Sequence, residues 1–268
     1  MFRSNVFLVA TVAAAVSFAG CSSSSAKRTL TRSFALDGGK AAVLQIDSSN
    51  GSIRIDEDPD VEEMIVVGTV TAGGSNESEA IQRLDDFDMN IEQLDSEGWT
   101  ISSVMPESSR GMDEIRFVVT VPRIGMASVR SGNGAITIPS SHGDLELETG
   151  NGSIKVGGAN GRVIGKTGNG PILCELVGPE FASQVDLKTG NGRIRIMLPL
   201  DCVGSLSAGT GNGSIDHPGL QGMEIKDHFL GPMSVSGDGD GKASIVLATG
   251  NGSIRIQARD EEDPEGSS

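Results

Sequence analysis

The stretch TGNGSIKV, Thr149–Val156, decides the fold, because the chain contains seven near-copies of it. The other copies are SSNGSIRI from Ser48, SGNGAITI from Ser131, TGNGPILC from Thr167, TGNGRIRI from Thr189, TGNGSIDH from Thr210 and TGNGSIRI from Thr249. The asparagines at their centres are Asn50, Asn133, Asn151, Asn169, Asn191, Asn212 and Asn251. From Asn133 to Asn212 they recur every 18 to 22 residues, and such a period indicates a repeat architecture.

Aliphatic residues alternate with polar ones on both sides of each Gly-Asn-Gly. In one unit, Leu145 and Leu147 come before the motif, and Ile154 and Val156 come after it. Alternation with a period of two residues indicates a β-strand with one buried face. Asn and Gly tolerate the positive φ angles that sharp turns require. Each unit is therefore predicted to be a strand, a Gly-Asn-Gly corner, a second strand and a second corner, such as residues 157–161.

Two architectures are compatible with this pattern. The motif fits a two-residue hairpin in an antiparallel meander, and it also fits a corner in the stacked coils of a solenoid. A meander of such short strands needs a cover for its apolar face, and no amphipathic helix follows Pro122. A solenoid buries its own inward rows and aligns the motif asparagines into a hydrogen-bonded ladder. We therefore expect an all-β, right-handed parallel β-solenoid (β-helix-like) with about 18–22 residues per coil.

Residues 1–20 have the features of a lipoprotein signal peptide. Arg3 precedes the apolar run Val6–Phe18, which is too short to span a membrane, because spanning takes about 20 apolar residues. The sequence FAGC, Phe18–Cys21, resembles the lipobox of bacterial lipoproteins, in which cleavage before the cysteine leaves its thiol to carry a diacylglycerol. This resemblance makes Cys21 the lipidation site. Serine at the next position implies sorting to the outer membrane.

The rest of the chain is predicted to be a tether, one β domain and a tail. The segments are a flexible tether at 21–33, a β domain at 34–256 with an irregular first half (34–122) and regular repeats (123–256), and a disordered acidic tail at 257–268. The irregular half contains one predicted short helix within Ser75–Phe87, which Ser75 or Ser78 can cap. Ile81, Leu84 and Phe87 are expected near one face of it.

The order of these features resembles the bacterial putative-adhesin domain of unknown function, found in envelope lipoproteins and in membrane-linked stress-response proteins. The resemblance rests on the signal with its lipobox, on SSNGSIRI, on the strand that closes in VTVP at Pro122, and on the run of TGNGxIxV units. It covers about residues 40–256. The resemblance implies a β-solenoid at the cell envelope and no established catalytic residues.

The chain is acidic except at one outward position of the repeat. Asp and Glu outnumber Lys and Arg by 36 to 21, and the net charge of −15 disfavours binding to nucleic acid. The residue four places after the motif asparagine is a cation in four units. We call these residues the basic row: Arg54, Lys155, Arg195 and Arg255. Stacked in a column, they could grip an anionic polysaccharide, or they could simply balance acidic residues of the surface such as Glu146, Glu148 and Asp186.

No residue pattern predicts catalysis or a cofactor. The three histidines fall in no nucleophile elbow or zinc-binding motif. Glu146 and Glu148 could imitate the carboxylate pair of a polysaccharide-cleaving β-helix enzyme, but the alternation places both on a solvated face.

Two further groups of residues are candidate sites. Asp238 and Asp240 in SGDGDGK resemble a calcium-binding repeat, but the motif occurs once, so a turn is the better interpretation and no metal is expected. Cys174 takes an inward position and could form a disulfide with Cys202 in an oxidising envelope.

These observations predict a lipid-anchored, non-enzymatic protein of the cell envelope that binds or scaffolds through an extended face. Its expected partners are the membrane, through the anchor, and envelope polysaccharide or another envelope protein. No cofactor, nucleic acid or small-molecule substrate is expected. The alternative is an envelope stress-sensing or regulatory protein that acts through a protein partner, and the third is a polysaccharide-cleaving enzyme. Both the periplasmic and the surface side of the outer membrane remain open.

Overall fold

A computed structural model of the chain describes residues 15–17, 24–35, 41–94, 98–109, 111–177, 184–199, 203–218, 224–228, 233–239 and 241–259. The chain divides into two compact units, Met1–Ile138 and Pro139–Ser268. This boundary lies between the second and third motif copies. The predicted change from an irregular to a regular half, at residue 122, therefore does not coincide with the division between the units.

The first unit contains ten strands and one α-helix among its described residues. They are β1 (Ala15–Ser17), β2 (Ser24–Ala35), β3 (Ala42–Asn50), β4 (Ile53–Glu57), β5 (Glu63–Gly74), α1 (Glu77–Arg83), β6 (Asp88–Gln93), β7 (Gly98–Val104), β8 (Glu114–Val121), β9 (Ile124–Asn133) and β10 (Ile136–Ile138). One sheet has the order β1-β2-β5-β8-β4-β10, and the other has the order β9-β3-β7-β6. Both are mixed: β2, β5 and β8 pair antiparallel, whereas β3 pairs parallel with both β7 and β9.

The two sheets of the first unit bury a common core. The rings of Phe34 on β2 and Trp99 on β7 lie 4.9 Å apart, one from each sheet. Met89 on β6 approaches Gly68 on β5, again across the two sheets. Ile, Val and Phe side chains fill the inward positions, for example Phe117, which is fully buried. The period of two in the sequence therefore marks the core face here, as expected for half-buried strands.

Strand β2 corrects the prediction of a flexible tether at 21–33. Ser24–Ala35 is a twelve-residue strand that pairs antiparallel with β5 along its whole length. Arg28 and Arg32 fasten it to the opposite sheet, because their guanidinium groups donate to the carbonyls of Phe87 and Met89 at 2.6 and 2.7 Å. The Ser-rich composition suggested a linker, but the segment supplies the missing neighbour of β5. Cys21 and the rest of 18–23 lie outside the described residues.

The single short helix is confirmed, with a different cap from either predicted one. Asn76 caps α1, since its side chain accepts from the backbone N–H of Glu79 at 3.0 Å. A 3-10 turn at Leu84–Asp86 follows the helix directly. Leu84 and Phe87 are buried as expected, but Ile81 is 48% exposed.

The second unit contains twelve described strands. They are β11 (Asp144–Asn151), β12 (Ile154–Ala159), β13 (Val163–Asn169), β14 (Ile172–Leu176), β15 (Gln184–Asn191), β16 (Ile194–Leu198), β17 (Val203–Asn212), β18 (Ile215–Asp216), β19 (Glu224–His228), β20 (Met233–Asp238), β21 (Ala243–Asn251) and β22 (Ile254–Ala258). We call β12-β14-β16-β22-β18 the first sheet of this unit and β11-β13-β15-β21-β17-β20-β19 its second sheet. Gly165 of β13 faces both Ile154 and Ile172, so the two sheets pack face to face.

The prediction of a purely parallel β-solenoid is wrong, although the all-β class is confirmed. Equivalent strands of the repeat do pair in parallel, but β20 pairs antiparallel with both β17 and β19 in the same sheet. The strands are also out of chain order, because β21 lies between β15 and β17, and β22 lies between β16 and β18. A solenoid would place each new coil at the end of the stack. The period of a repeat reports that units are equivalent, and it carries no information about which units are neighbours.

The hairpin meander is not formed either. The strands on the two sides of one Gly-Asn-Gly, such as β13 and β14, belong to different sheets and do not pair with each other. The motif is therefore a corner between sheets. At the end of β22, Ala258 extends the strand two residues beyond the predicted boundary at 256, and residues 260–268 of the predicted tail lie outside the described part.

Candidate functional site

The corners of the second unit stack so closely that only glycine fits at both glycine positions. A Cβ on Gly170 or Gly192 would overlap the carbonyl oxygen of the equivalent glycine in the neighbouring corner, Gly152 or Gly170 respectively. A Cβ on Gly190 would lie 2.7 Å from the carbonyl oxygen of Gly168. The glycines are thus required by contact between parallel neighbours, in addition to the positive φ of Gly170.

Two rows of polar side chains connect these corners. The buried threonine before each motif donates its hydroxyl to a glycine carbonyl of the adjacent corner, as Thr189 does to Gly170 at 3.0 Å and Thr249 to Gly192 at 3.0 Å. This threonine was not among the predicted site residues, although it recurs as the first letter of TGNG in five copies.

The motif asparagines of this unit form a hydrogen-bonded series. Each side-chain Nδ2 donates to the Oδ1 of the next asparagine at 2.7–2.8 Å, in the order Asn212 to Asn251 to Asn191 to Asn169 to Asn151. In the first unit, Asn50 donates instead to the backbone carbonyl of Asp113 at 2.5 Å, and Asn133 lies at the end of β9 in register with Asn50. These rows hold the strands in register, and register decides which outward residues become neighbours.

The register places three residues of the basic row in one line across the first sheet of the second unit, with Leu173 between Lys155 and Arg195. Lys155, Leu173, Arg195, Arg255 and Asp216 occupy equivalent positions on adjacent strands. In sequence order, Asp216 would separate Arg195 from Arg255, but the insertion of β22 makes the two arginines direct neighbours. Arg54 belongs to the first unit, where Nε donates to Asp56 at 2.8 Å and this hydrogen bond raises the pKa of the Arg54 guanidinium.

A cleft opens on this face beside Arg195. Its volume is about 420 Å³, and it is lined by Pro171, Ile172, Leu173, Arg193 and Arg195, which we call the basic cleft. Arg193 lies two residues before Arg195 on the same side of the chain, and both are exposed. Arg193 was not among the predicted site residues, although the alternation in GRIRI predicts that it points outward together with Arg195.

Three cations of this face have no counter-ion among the described residues. Within the part of the chain that the structure describes, Arg193, Arg195 and Lys155 form no ion pair or side-chain hydrogen bond. Arg255 contacts Asp216 at 3.4 Å, while its buried Nε has no hydrogen-bond partner among the described atoms. Like charges on adjacent strands destabilise a sheet. A bound anion would offset this repulsion and could accept from the free guanidinium donors.

The other sheet of the same unit carries charges that are largely balanced. Lys166 and Lys188 are neighbours in register, but Lys188 contacts Asp186 at 2.7 Å and Lys166 lies beside Glu148. Glu146 accepts from Arg162 at 3.1 Å. Glu146 and Glu148, the carboxylates considered for glycan cleavage, therefore lie on a face with basic partners close by.

Of the remaining predicted site residues, only a part lies within the described structure. Cys202 and Asp240 lie outside the described residues, and Asp238 is exposed at the end of β20. Cys174 is a free thiol in the core, and burial raises its pKa to about 12. Among the described residues, no group of three or more His, Cys, Asp and Glu side chains is arranged to hold a metal ion. No helix in the described ranges has the length and hydrophobicity needed to cross a membrane.

Comparison with solved structures finds this fold in a bacterial protein. A "putative cell adhesion protein" from Clostridium sporogenes superposes with a TM-score of 0.52 at 15% identity, covering 87% of this chain and 100% of its own. A "putative adhesin" from Bacteroides fragilis gives a TM-score of 0.40 at 12% identity, covering 85% and 96%. A "putative lipid binding protein" from Parabacteroides distasonis gives 0.31 at 10% identity, covering 85% and 97%.

No protein-family model matches the chain. No curated protein matches it either. The first structural similarity extends over most of both chains, so the chain shares the overall fold of the Clostridium sporogenes protein. At this identity the likeness concerns the fold alone.

Proposed function

We propose that this chain is a non-enzymatic binding protein of the bacterial cell envelope, lipid-anchored through Cys21, and that its basic cleft contacts an anionic envelope polymer. The observation that carries the proposal is the set of cations on the first sheet of the second unit, in a chain whose net charge is −15. Arg193 and Arg195 line the cleft and Lys155 lies two strands from Arg195, and within the described residues none of the three has a counter-ion. Flat, repetitive faces offer long shallow surfaces, which suit polymers better than small molecules.

The names of the structural neighbours support a binding role. The protein from Clostridium sporogenes is described as a "putative cell adhesion protein", and the one from Bacteroides fragilis as a "putative adhesin". Neither description names an enzyme. The lipobox-like FAGC at Phe18–Cys21 supports anchoring, and serine after the cysteine supports the outer membrane.

Binding is tested with purified envelope polysaccharide immobilised on beads. We expect the chain to be retained at low salt and released as salt rises, because exposed charges are screened over about 10 Å at 0.1 M. The variant R193Q/R195Q should lose most of this retention. The matched control K166Q/K188Q removes the same charge from the opposite sheet and should bind normally. Equal retention of the two variants would contradict the proposal.

Anchoring and exposure are tested in cells. Labelled fatty acid should enter the protein and should be lost in Cys21→Ser. Protease treatment of intact cells, followed by a blot, then separates the two sides of the outer membrane. Digestion without lysis supports a surface role in adhesion or matrix binding, whereas digestion only after lysis supports a periplasmic scaffold.

A further inference from the structure

We infer that the polymer that fits the basic cleft is a polyuronate, a linear polysaccharide with one carboxylate on each sugar, lying across the strands of the first sheet of the second unit. This inference rests on the function proposed above and specifies its ligand. It starts from the register of β12, β14, β16 and β22, which places Lys155, Leu173, Arg195 and Arg255 in one line.

The spacing of the line is set by the sheet. Neighbouring strands lie about 4.8 Å apart, so Arg195 and Arg255 are separated by one strand interval, and Lys155 and Arg195 by two. A pyranose residue in an extended polysaccharide advances by a similar length. A polymer with a carboxylate on every sugar can therefore offer charges at both the two-strand and the one-strand interval, with an uncharged part of the chain over Leu173, whereas a sparsely charged polymer cannot match both intervals.

The donors suit carboxylates. The guanidinium of arginine has a planar fork that binds both oxygens of a carboxylate, and Arg193 and Arg195 have both forks free of partners within the described structure. Arg255 adds a third guanidinium, whose Nη1 lies 3.4 Å from Asp216. These groups can orient a carboxylate more strictly than a row of lysines can.

The apolar residues of the cleft complete the fit. Pro171 and Leu173 stand beside Arg193 and Arg195 on the neighbouring strand, so the cleft has one apolar and one cationic wall. A uronate has the same division, with C–H groups on its ring and a charge at one carbon. The outward residues of this sheet include no aromatic side chain, so the face offers charge rather than ring stacking.

The line has a defined length. Asp216 on β18 follows Arg255 and repels a carboxylate, which ends the site on that side. From Lys155 to Arg255 the line crosses three strand intervals, about 14 Å. The site therefore accommodates about four sugar residues.

The test is calorimetric titration of the whole mature chain with oligogalacturonates of one to eight residues. Affinity should rise with length up to about four residues and then change little per site. R195Q should weaken binding of the tetramer roughly tenfold, as expected for loss of a charge-assisted pair. K188Q, on the opposite sheet, should change it less than twofold. Circular dichroism checks that both variants are folded.

Parallel titrations separate this inference from the proposed function. If polyphosphate or dextran sulfate binds in an R195-dependent way and oligogalacturonate does not, the polyuronate assignment is overturned and the proposed function stands. If vesicles of anionic lipid bind and none of the polymers does, both are overturned in favour of a membrane contact. If no anionic probe binds, both are also overturned. A length dependence without a break near four residues contradicts the assigned site.

Discussion

At the scale of single residues, the glycines of each corner are constrained by contact with the neighbouring corner. A Cβ on Gly192 would overlap the carbonyl oxygen of Gly170, whereas a Cβ on Gly209 within β17 would meet nothing within 4 Å. We expect Gly192→Ala to lower the free energy of unfolding by more than about 2 kcal/mol. Gly209→Ala should leave it unchanged or raise it by about 0.4–1 kcal/mol. Urea denaturation of both variants measures the difference, and equal stabilities would show that the corners do not stack.

A buried ion pair ties the helix of the first unit to the loop before β8. Arg83 donates to both oxygens of Asp113, at 3.1 and 2.6 Å, and to the carbonyls of Gly73 and Ser108. Asp113 is fully buried and also accepts from the N–H of Gly73 at 2.8 Å. The hydrogen bond with Asp113 raises the pKa of the Arg83 guanidinium, which favours its charged form.

Removing one partner of this pair should be costly. Arg83→Met leaves the carboxylate of Asp113 buried without its cation, and we expect a loss of about 3–5 kcal/mol in unfolding free energy. The double variant R83M/D113L should recover part of this loss, because no buried charge is left unpaired. Arg116→Met, at an exposed position of β8, serves as the control. A double variant no more stable than Arg83→Met would contradict the account.

The buried thiol of Cys174 should make stability depend on alkaline pH. Its pKa is raised from 9.0 to about 12 by burial in the core. Between these values the unfolded chain loses the proton and the folded chain keeps it, so deprotonation favours unfolding as pH rises. This thiol should make the free energy of unfolding about 1.4 kcal/mol lower at pH 10 than at pH 8. In Cys174→Val this contribution to the fall in unfolding free energy with pH should be absent. Urea denaturation under reducing conditions measures it.

At the scale of elements, β2 is the strand that the amino-acid composition failed to predict. SSSSAKRT has the polar, small residues of a linker, but Ser24–Ala35 pairs with β5 over twelve residues. The signal that could have revealed it was Phe34, an aromatic residue in an otherwise polar segment. Pairing satisfies the outer edge of β5, which would otherwise be an exposed strand edge.

Phe34, the first residue of the predicted β domain, anchors the end of β2 in the core. We expect Phe34→Ala to cost about 3–5 kcal/mol, because the ring is buried against Trp99. Trp99 is the single tryptophan, so its fluorescence reports the loss directly. Thr31→Ala, on the other face of β2, is the control and should change stability little. Unchanged fluorescence and stability in Phe34→Ala would contradict the packing of β2 against Trp99.

At the scale of the whole molecule, the order of strands in the second unit differs from the order of the chain. The last pair, β21 and β22, lies inside the stack, and β17, β18 and β20 lie beyond it. This order makes Arg195 and Arg255 neighbours and thereby builds the basic face. A function argued from sequence order would place Asp216 between them.

Two deletions distinguish this order from a stack in chain order. Ending the chain at residue 240 removes an inner pair of strands and should unfold the second unit. Replacing residues 199–243 by Asn-Gly, the sequence of Asn160 and Gly161 after β12, joins β16 to β21 and removes only outer strands, so the rest should still fold. Cooperative thermal unfolding followed by circular dichroism measures both. If the first deletion folds and the second does not, the strand order is wrong.

The sequence alone determined which residues face inward and where the chain turns. These are properties of period two and of Gly-Asn-Gly, and both are local. The tertiary structure alone decided that β20 runs antiparallel, that Ser24–Ala35 is a strand, and that β22 separates β16 from β18. The reason is physical: seven nearly identical motifs present nearly identical backbone edges, so any unit can pair with any other. The choice among them depends on the packing of the whole unit, and that choice also placed Arg255 beside Arg195.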